Sequence, residues 1–399
     1  FIPHPLTHDY YPWHITIESF SNPTVILALL ITVVIIAYAL LKLPKKNIVA
    51  FGILFFFITF SIQSNVLFNI GTFMNERFMF VALLGFCIII AYFLSKYFQK
   101  FKLLKYVFLL VLILYSTKSF TRTKVWKDNY TLFTTDVKTS KNSAKVNVSA
   151  AEAIIRKAES EKNSFKAKQM YKQALAYLVK AQSIHPTYFG AYDLAGKATF
   201  HLDDFTNSVK YYKQCLTINP NAPMPLNNIY LIAQVTLAQN KIEESEQIVK
   251  WLIEFAPDSI QYHYEMALIY EKKNEFDKSL ETLENVIKTD PKNVKALSKT
   301  GEIYGKYYYN SNKAEYYLLE AWKLNPNEFY INENLGIVYG MQNKFEKSLE
   351  FFNYALQIDS TISRLHGNMS KTYDLMKNPE KASYHAKKEK ELEKKQTQS

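Results

Sequence analysis

Proline residues recur at a nearly constant spacing in the C-terminal half of this 399-residue chain, and this spacing narrows its possible folds more than any other pattern. Five of the prolines beyond residue 185 stand at intervals of 34, 37, 34 and 35 residues: Pro186, Pro220, Pro257, Pro291 and Pro326. A period near 34 residues accommodates two short helices and the turns between them. Only ten Gly and thirteen Pro occur in the whole chain, which leaves little room for a turn-rich all-β fold. The spacing therefore predicts a series of helical hairpins.

Small residues recur with the same period at two positions, where two helices would approach each other closely. Those of the first helix are Gly196, Ala267, Gly301 and Gly336, and those of the second are Ser208, Ser279, Ala314 and Ser348. This period, with its small positions and closing proline, is the signature of the tetratricopeptide repeat. Such hairpins bury their apolar stripes by stacking, which produces a superhelix with a concave surface. We therefore predict an all-α fold with about six and a half repeats over residues 143–378 and a polar capping helix over 379–399.

The N-terminal part of the chain differs from the repeats because it holds nearly all the long apolar runs. Four runs, at 24–43, 48–62, 78–94 and 103–117, predict a four-span membrane region over residues 24–117. A span needs about 20 apolar residues, and the second run reaches that length only if residues 63–66 join it. Buried helices of a soluble core are the weaker interpretation, because they seldom contain so many apolar residues in succession.

The placement of lysines predicts the orientation of these spans. Lys42, Lys45 and Lys46 follow the first apolar run, and a second lysine group precedes the fourth, whereas residues 1–23 contain no Lys or Arg. Loops rich in lysine stay in the cytoplasm. Residues 1–23 are therefore predicted to form an extracytoplasmic loop, and the junction at 118–142 and the repeats to lie outside the cytoplasm. That compartment is the periplasm in a bacterium and the lumen of the endoplasmic reticulum in a eukaryote.

Composition excludes several classes of function. The two cysteines, Cys87 and Cys215, rule out a disulfide framework and a cysteine-based zinc module. The net charge of +12 comes from lysines spread along the chain, without the one-sided basic patch of a nucleic-acid binder. No HExxH, P-loop, GxSxG or dinucleotide-binding glycine pattern occurs. We predict no metal site, since the histidines before the first span match no standard ligand spacing.

Two short segments on the predicted extracytoplasmic side could carry chemistry. His4, His8 and Asp9 lie among aromatic residues before the first span. They belong either to an interfacial aromatic belt or to the polar lip of an active site. Glu76 and Arg77 stand at the outer end of the third run. Arginine is rare in this chain, and its planar guanidinium suits a phosphate or carboxylate held in two places. The alternative is a structural ion pair between helices.

A third segment joins the last span to the repeats. It contains Arg122 and Trp126, and basic residues with a tryptophan are typical of the membrane interface. We interpret it as a membrane junction that anchors the repeats.

Three stretches of this sequence resemble the TMTC family of transmembrane and tetratricopeptide-repeat-containing proteins. They are PLTHDYYP, the segment from Glu76 to Phe86, and the segment from Arg122 to Phe133. Val81 and Ala82 depart from the family pattern, which has Pro and Ser at these positions. The order of parts is similar to the C-terminal portion of a bacterial-type member, and the low arginine content suits an AT-rich genome. The predicted location is then the bacterial inner membrane, with the repeats in the periplasm.

The resemblance implies a membrane glycosyltransferase of the GT-C type. Such an enzyme moves a mannose-type sugar from a polyprenyl phosphate, its donor substrate, to Ser or Thr of an exported protein. Arg77 is expected to hold the donor phosphate, and Glu76 to orient the guanidinium of Arg77. His4, His8 and Asp9 are expected to line the same site at the outer ends of the spans, which we call the mouth. The general base is expected outside this chain, which would be a fragment; the alternative is a reduced relative that has lost catalysis. The repeats would bind the acceptor protein. The alternative is a non-catalytic membrane-anchored scaffold of a cell-envelope complex.

Overall fold

The computed structural model describes residues 7, 9, 11, 18–64, 76–98 and 100–396. Within that part of the chain the fold is all-α, as predicted, with nineteen α-helices joined by short turns. The chain divides after Pro225 into two compact units. The first unit contains the apolar helices and the first hairpins, and the second contains the remaining hairpins.

Four apolar helices precede the repeats. They are α1 (Pro23–Lys42), α2 (Ile48–Ser61), α3 (Leu83–Phe98) and α4 (Lys102–Thr123). The segments Pro23–Lys45 and Leu103–Lys127 are the two in the described residues that are long and apolar enough to cross a membrane. Asn22 begins α1 by accepting the backbone N–H of Thr24 at 2.9 Å, and Pro23 occupies the first helical position.

The prediction of four spans is wrong for the described residues, because α2 and α3 are too short. Their 14 and 16 residues correspond to about 21 and 24 Å of helix, less than the ~30 Å of a hydrocarbon core. The end of α2 is polar: the hydroxyls of Ser61 and Ser64 donate to the carbonyls of Ile58 and Ser61 at 2.7 and 2.8 Å. Before α3, residues 76–79 form a 3-10 turn, so the helix starts later than the apolar run.

The hairpins of the first unit follow a connecting helix, α5 (Asn129–Thr139). They are α6 (Ala144–Glu159) with α7 (Ser164–Ile184), and α8 (Phe189–His201) with α9 (Phe205–Ile218). Their core contains fully buried aliphatic side chains, among them Ile154, Ile155 and Leu178.

The second unit continues the same pattern. It contains most of α10 (Pro223–Ala238), followed by α11 (Ile242–Phe255), α12 (Ile260–Lys272), α13 (Phe276–Thr289), α14 (Val294–Lys306), α15 (Ser311–Leu324), α16 (Phe329–Met341), α17 (Phe345–Ile358), α18 (Ser363–Leu375) and α19 (Pro379–Gln396). Its core is built around Leu283, Ile303 and Leu318, which are fully buried.

A buried hydrogen bond explains why serine recurs at the small position of the second helix. The hydroxyls of Ser208, Ser245, Ser279 and Ser348 donate to the carbonyls of Gly196, Ala233, Ala267 and Gly336, at 2.7, 2.8, 2.8 and 2.6 Å. Each bond joins the two helices of one hairpin and satisfies a buried hydroxyl, which would otherwise destabilise the core.

The first-helix glycines serve close packing. A Cβ atom on Gly336 would lie 2.4 Å from the ring of Phe352, and one on Gly301 would lie 2.6 Å from Cγ of Leu318. Neither approach is possible for a real side chain, so these positions hold the two helices of a hairpin together.

The C-terminal helix α19 packs against α18 and buries two histidines. Nδ1 of His366 and Nδ1 of His385 are 2.9 Å apart, and the rings are stacked. Burial lowers the pKa of both imidazoles below the ordinary value, and the nearby ammonium groups of Lys388 and Lys381 act in the same direction. At neutral pH the pair is therefore uncharged, with one imidazole donating to the other.

Candidate functional site

The junction between α4 and the repeats is fixed by a two-point ion pair. Both terminal nitrogens of Arg122 donate to the carboxylate of Asp136 on α5, at 2.7 and 2.9 Å. Asp136 is completely buried, whereas 17% of the Arg122 side chain is exposed. A planar guanidinium fits a carboxylate in this geometry, which sets direction as well as distance. The last apolar helix is therefore tied at a defined angle to the helix before the first hairpin.

Trp126 lies on the 3-10 turn between α4 and α5, and 55% of it is exposed. Its role as an interfacial anchor stays a prediction.

Residues that precede α1 lie against the first hairpin. The Asp9 carboxylate is 2.7 Å from Nζ of Lys145 and accepts the backbone N–H of Tyr11 at 2.8 Å. The Tyr11 carbonyl accepts from the hydroxyl of Ser143 and from the backbone N–H of Lys145. The Tyr11 hydroxyl lies 3.5 Å from Nε2 of His185. We call Asp9, Tyr11, Ser143 and Lys145 the N-terminal latch.

The latch joins segments from both ends of the apolar region. Asp9 and Tyr11 come before α1, and Ser143 and Lys145 come after α4. Because these four residues are in contact, the segment before α1 and the first hairpin face the same side of any membrane that the helices between them cross.

The structure describes only some of the other predicted site residues. His4 and His8 lie outside the described residues, as do the side chains of Glu76 and Arg77, whose backbone belongs to a 3-10 turn. Asp9 is the member of the predicted mouth whose side chain is described, and it is ion-paired with Lys145. Among the described residues, no group of three or more His, Cys, Asp or Glu side chains could hold a metal ion.

The second unit contains an open groove of about 900 Å³. Its walls are the first helices of successive hairpins, α12, α14, α16 and α18, with Tyr264, Lys295, Lys299, Asn334, Arg364 and Asn368 among the lining residues. Because the repeat places equivalent helices side by side, residues of the same repeat position line up across the groove.

Several charges in the groove are already neutralised. Lys299 lies 2.8 Å from Glu302 and 3.3 Å from Glu271. Burial works against its ammonium, but the two carboxylates raise the pKa of Lys299 above its ordinary value. Arg364 donates to both carboxylate oxygens of Glu333 at 2.8 and 2.6 Å, and this pairing raises the pKa of Arg364.

Other polar groups in the groove have no side-chain hydrogen bond or ion pair within the described part of the chain. Among them are the exposed ammonium of Lys295 and the half-buried amides of Asn334 and Asn368. An amide side chain both donates and accepts, as a peptide bond does. The groove therefore offers a free positive charge and two amides to an extended polypeptide.

These groove residues were not predicted from the sequence, although the repeat period contains a signal for them. Two residues before the small position of the first helix, the side chain is Leu194 in an early hairpin, but Lys299, Asn334 and Asn368 in later ones. A change from apolar to polar at one repeat position indicates a surface that differs between hairpins. The latch carried no comparable signal, since its two halves lie far apart in the sequence.

A family model and a curated relative agree with the repeat fold. A tetratricopeptide-repeat family model matches residues 189–222 and 260–293. The TPR repeat-containing protein PA4667 of Pseudomonas aeruginosa is 26% identical over 130 residues, covering 32% of this chain and 22% of that protein. A solved tetratricopeptide repeat protein from Parabacteroides merdae aligns with a TM-score of 0.42 and 16% identity, over 50% of this chain and 78% of the other.

Two human relatives carry a named activity. Human protein O-mannosyl-transferase TMTC3 is 28% identical over 245 residues, which is 58% of this chain and 26% of that protein. Human protein O-mannosyl-transferase TMTC1 is 23% identical over 209 residues, which is 51% of this chain and 22% of that protein. The chain thus spans about a quarter of the length of these relatives, and the predicted bacterial type stays a prediction. The chain contains tetratricopeptide repeats, and over more than half of its length it is similar to the TMTC O-mannosyl-transferases.

Proposed function

We propose that this chain is the C-terminal part of a membrane glycosyltransferase of the GT-C type. It would move a mannose-type sugar from a polyprenyl phosphate to Ser or Thr of an exported protein, with the repeats binding the acceptor. The observation that carries the proposal is the N-terminal latch, which holds the loop before α1 against the first hairpin. Similarity to the TMTC O-mannosyl-transferases supports it. We further propose the bacterial inner membrane as its location, with the repeats in the periplasm.

The donor phosphate is proposed to bind at the outer ends of the apolar helices. Arg77 would hold it in two places, with Glu76 orienting the guanidinium, and His4 and His8 would line the same mouth. Asp9 has a different task in this proposal. Its carboxylate would repel a phosphate, and its ion pair with Lys145 instead positions the loop. The general base is proposed to lie in a part of the protein beyond this chain.

The acceptor polypeptide is proposed to bind in the groove of the second unit. Asn334 and Asn368 can each pair with a peptide bond, and Lys295 offers a free positive charge. Binding there would raise the local concentration of acceptor near the membrane without taking part in the chemistry.

A mannosyl-transfer assay on the complete polypeptide in membranes tests the enzyme. The substrates are a polyprenyl-phosphate mannose and a peptide rich in Ser and Thr. Arg77→Lys should lose most of the turnover, because a point charge cannot replace the bidentate contact. Arg156→Lys is the matched control, since Arg156 lies on α6 in an exposed pair with Glu152.

Two results would contradict the proposal. Full turnover in Arg77→Lys would remove Arg77 from the donor site. Failure of the complete polypeptide to transfer any sugar would favour the alternative, a membrane-anchored repeat scaffold.

A further inference from the structure

A second cavity opens beside the groove. It has a volume of about 360 Å³ and is lined by Gly301, Gly305, Tyr309, Leu318, Ile337 and Met341, among others. We call it the glycine pocket. It shares Glu302, Lys306, Asn334 and Ile337 with the groove, so the two are continuous. Its lining is mostly apolar with a few polar groups, which is the usual character of a site that takes one side chain of a bound molecule.

The space above Gly305 is not required by helix packing. A Cβ atom on Gly305 would lie 3.5 Å from Cβ of Ala314 and 3.6 Å from Cγ2 of Val338, which are ordinary contacts. Gly301, one turn earlier, has no such room, because its Cβ would meet Leu318 at 2.6 Å. Gly301 therefore serves the fold, whereas Gly305 leaves the pocket open at a cost in helix propensity.

Tyr309, at the rim of the pocket, has a backbone conformation that tyrosine seldom adopts. Its φ is 51°, in the left-handed region, and 78% of the residue is exposed. The turns that end α8, α10, α12, α16 and α18 also contain a residue with positive φ, and it is mostly Asn or Asp: Asp203, Asn240, Asn274, Asn343 and Lys377. Asn and Asp tolerate this conformation, whereas a bulky side chain seldom adopts it. An exposed aromatic residue in that position is not explained by the fold.

Ile337 and Met341 add to the exposed apolar surface at this rim, since each is 39% exposed. Together with Tyr309 they form a patch around the opening of a ready-made cavity. An exposed apolar patch that is surrounded by polar groups is typical of a binding site.

We propose that the glycine pocket binds one bulky apolar side chain of an extended acidic polypeptide. The proposal rests on the acceptor-binding role proposed above and names the substrate class of that site. The free ammonium of Lys295 takes an acidic side chain of the same polypeptide, because charge complementarity favours an anion there. Asn334 lines both the groove and the glycine pocket and pairs with the polypeptide backbone.

The geometry of α14 sets the spacing of the two recognised side chains. Lys295 and Gly305 stand near opposite ends of this helix, and a rise of about 1.5 Å per residue separates them by roughly 15 Å. An extended chain advances about 3.3 Å per residue. The apolar and acidic side chains are therefore four or five residues apart.

The test measures peptide binding to the 399-residue chain in detergent by fluorescence anisotropy. The probe is a labelled peptide of Gly and Ser with one Leu and one Asp five residues apart. Replacing its Leu by Ala should weaken binding roughly tenfold or more, because the buried side chain is lost. Moving the Asp next to the Leu should weaken binding to a similar extent.

Two variants with matched controls test the pocket itself. Tyr309→Asn should weaken binding of the Leu peptide several-fold and leave the thermal unfolding temperature unchanged or higher, since Asn suits the left-handed region. Lys377→Asn makes the same backbone improvement outside the groove and should leave binding unchanged. Gly305→Ala should weaken binding, whereas Gly340→Ala, at the same position of the next first helix and equally open, should not.

Three outcomes would overturn the inference. The first is that the unaltered chain does not bind the Leu peptide. The second is that each variant loses as much peptide binding as its control. The third is that replacing Leu by Ala in the peptide weakens binding equally with and without Tyr309. The readout needs no sugar transfer. Binding without transfer would therefore reject the proposed enzyme and keep the pocket, and transfer without pocket-dependent binding would do the reverse.

Discussion

Replacing Arg122 by methionine should loosen the helix that connects the membrane region to the repeats. The change keeps most of the apolar stem but removes both hydrogen bonds to Asp136, whose side chain is completely buried. Breaking a buried ion pair from one side costs about 3 to 5 kcal/mol, because the remaining charge is left in a poorly solvated place. Arg122 is 17% exposed, so we expect the lower end, about 3 kcal/mol.

Amide hydrogen exchange of α5 in the full chain measures this loss directly, because it reports the free energy of local opening. A loss of about 3 kcal/mol corresponds to exchange roughly 100-fold faster. Arg156→Met is the matched control, since Arg156 and Glu152 form a pair in which 72% and 44% of the side chains are exposed. Exposed pairs contribute about 0.5 kcal/mol, so the control should change exchange only about twofold.

A double variant separates the ion pair from other causes. Combining Arg122→Met with Asp136→Leu removes both charges and should restore much of the protection of α5. The reasoning is refuted if Arg122→Met changes exchange no more than Arg156→Met does. It is also refuted if the double variant is no better protected than the single one.

Three further perturbations have defined outcomes. Gly336→Ala forces a methyl group into an aromatic ring and should destabilise the second unit by about 1 to 3 kcal/mol in thermal unfolding; Gly340→Ala has room and should not destabilise it. The lowered pKa of His366 and His385 means that the unfolded state binds more protons, so the stability of the α18–α19 hairpin should fall as the pH drops below about 6.5. Amide exchange of α19 at pH values on either side of that point checks this, and His385→Phe should flatten the dependence. Lys145→Met breaks one contact of the latch at a cost of about 1 kcal/mol, and limited proteolysis before α1 should accelerate several-fold while cleavage at the repeat loops stays constant.

The repeat region could be predicted because its packing is local and recurrent. The small position of the second helix faces the same neighbour in each hairpin. Ser208, Ser279 and Ser348 therefore make the same hydrogen bond in three hairpins. The membrane region was predicted less well. Hydropathy shows that α2 and α3 are apolar but not where each helix begins and ends, and polar groups at Ser61 and the 3-10 turn at residues 76–79 shorten both. The number of spans was therefore overestimated.

The candidate sites were predicted only in part. Asp9 and Arg122 were singled out for their residue type and position, but their partners, Lys145 and Asp136, were not. The role of Tyr309 could not be read from the sequence, because its unusual φ becomes visible only beside the equivalent turns.

The all-α repeat architecture and the division into an apolar and a polar half follow from the sequence alone, because helix packing within a hairpin recurs with the period of the chain. The latch, the Arg122–Asp136 pair and the charge left free in the groove depend on the tertiary structure. The first two require charged side chains from separate segments of the chain to come into contact. The third depends on the absence of an oppositely charged group near Lys295 in the described structure. Periodicity describes which face of a helix is buried, but only the folded chain decides which charged groups become partners.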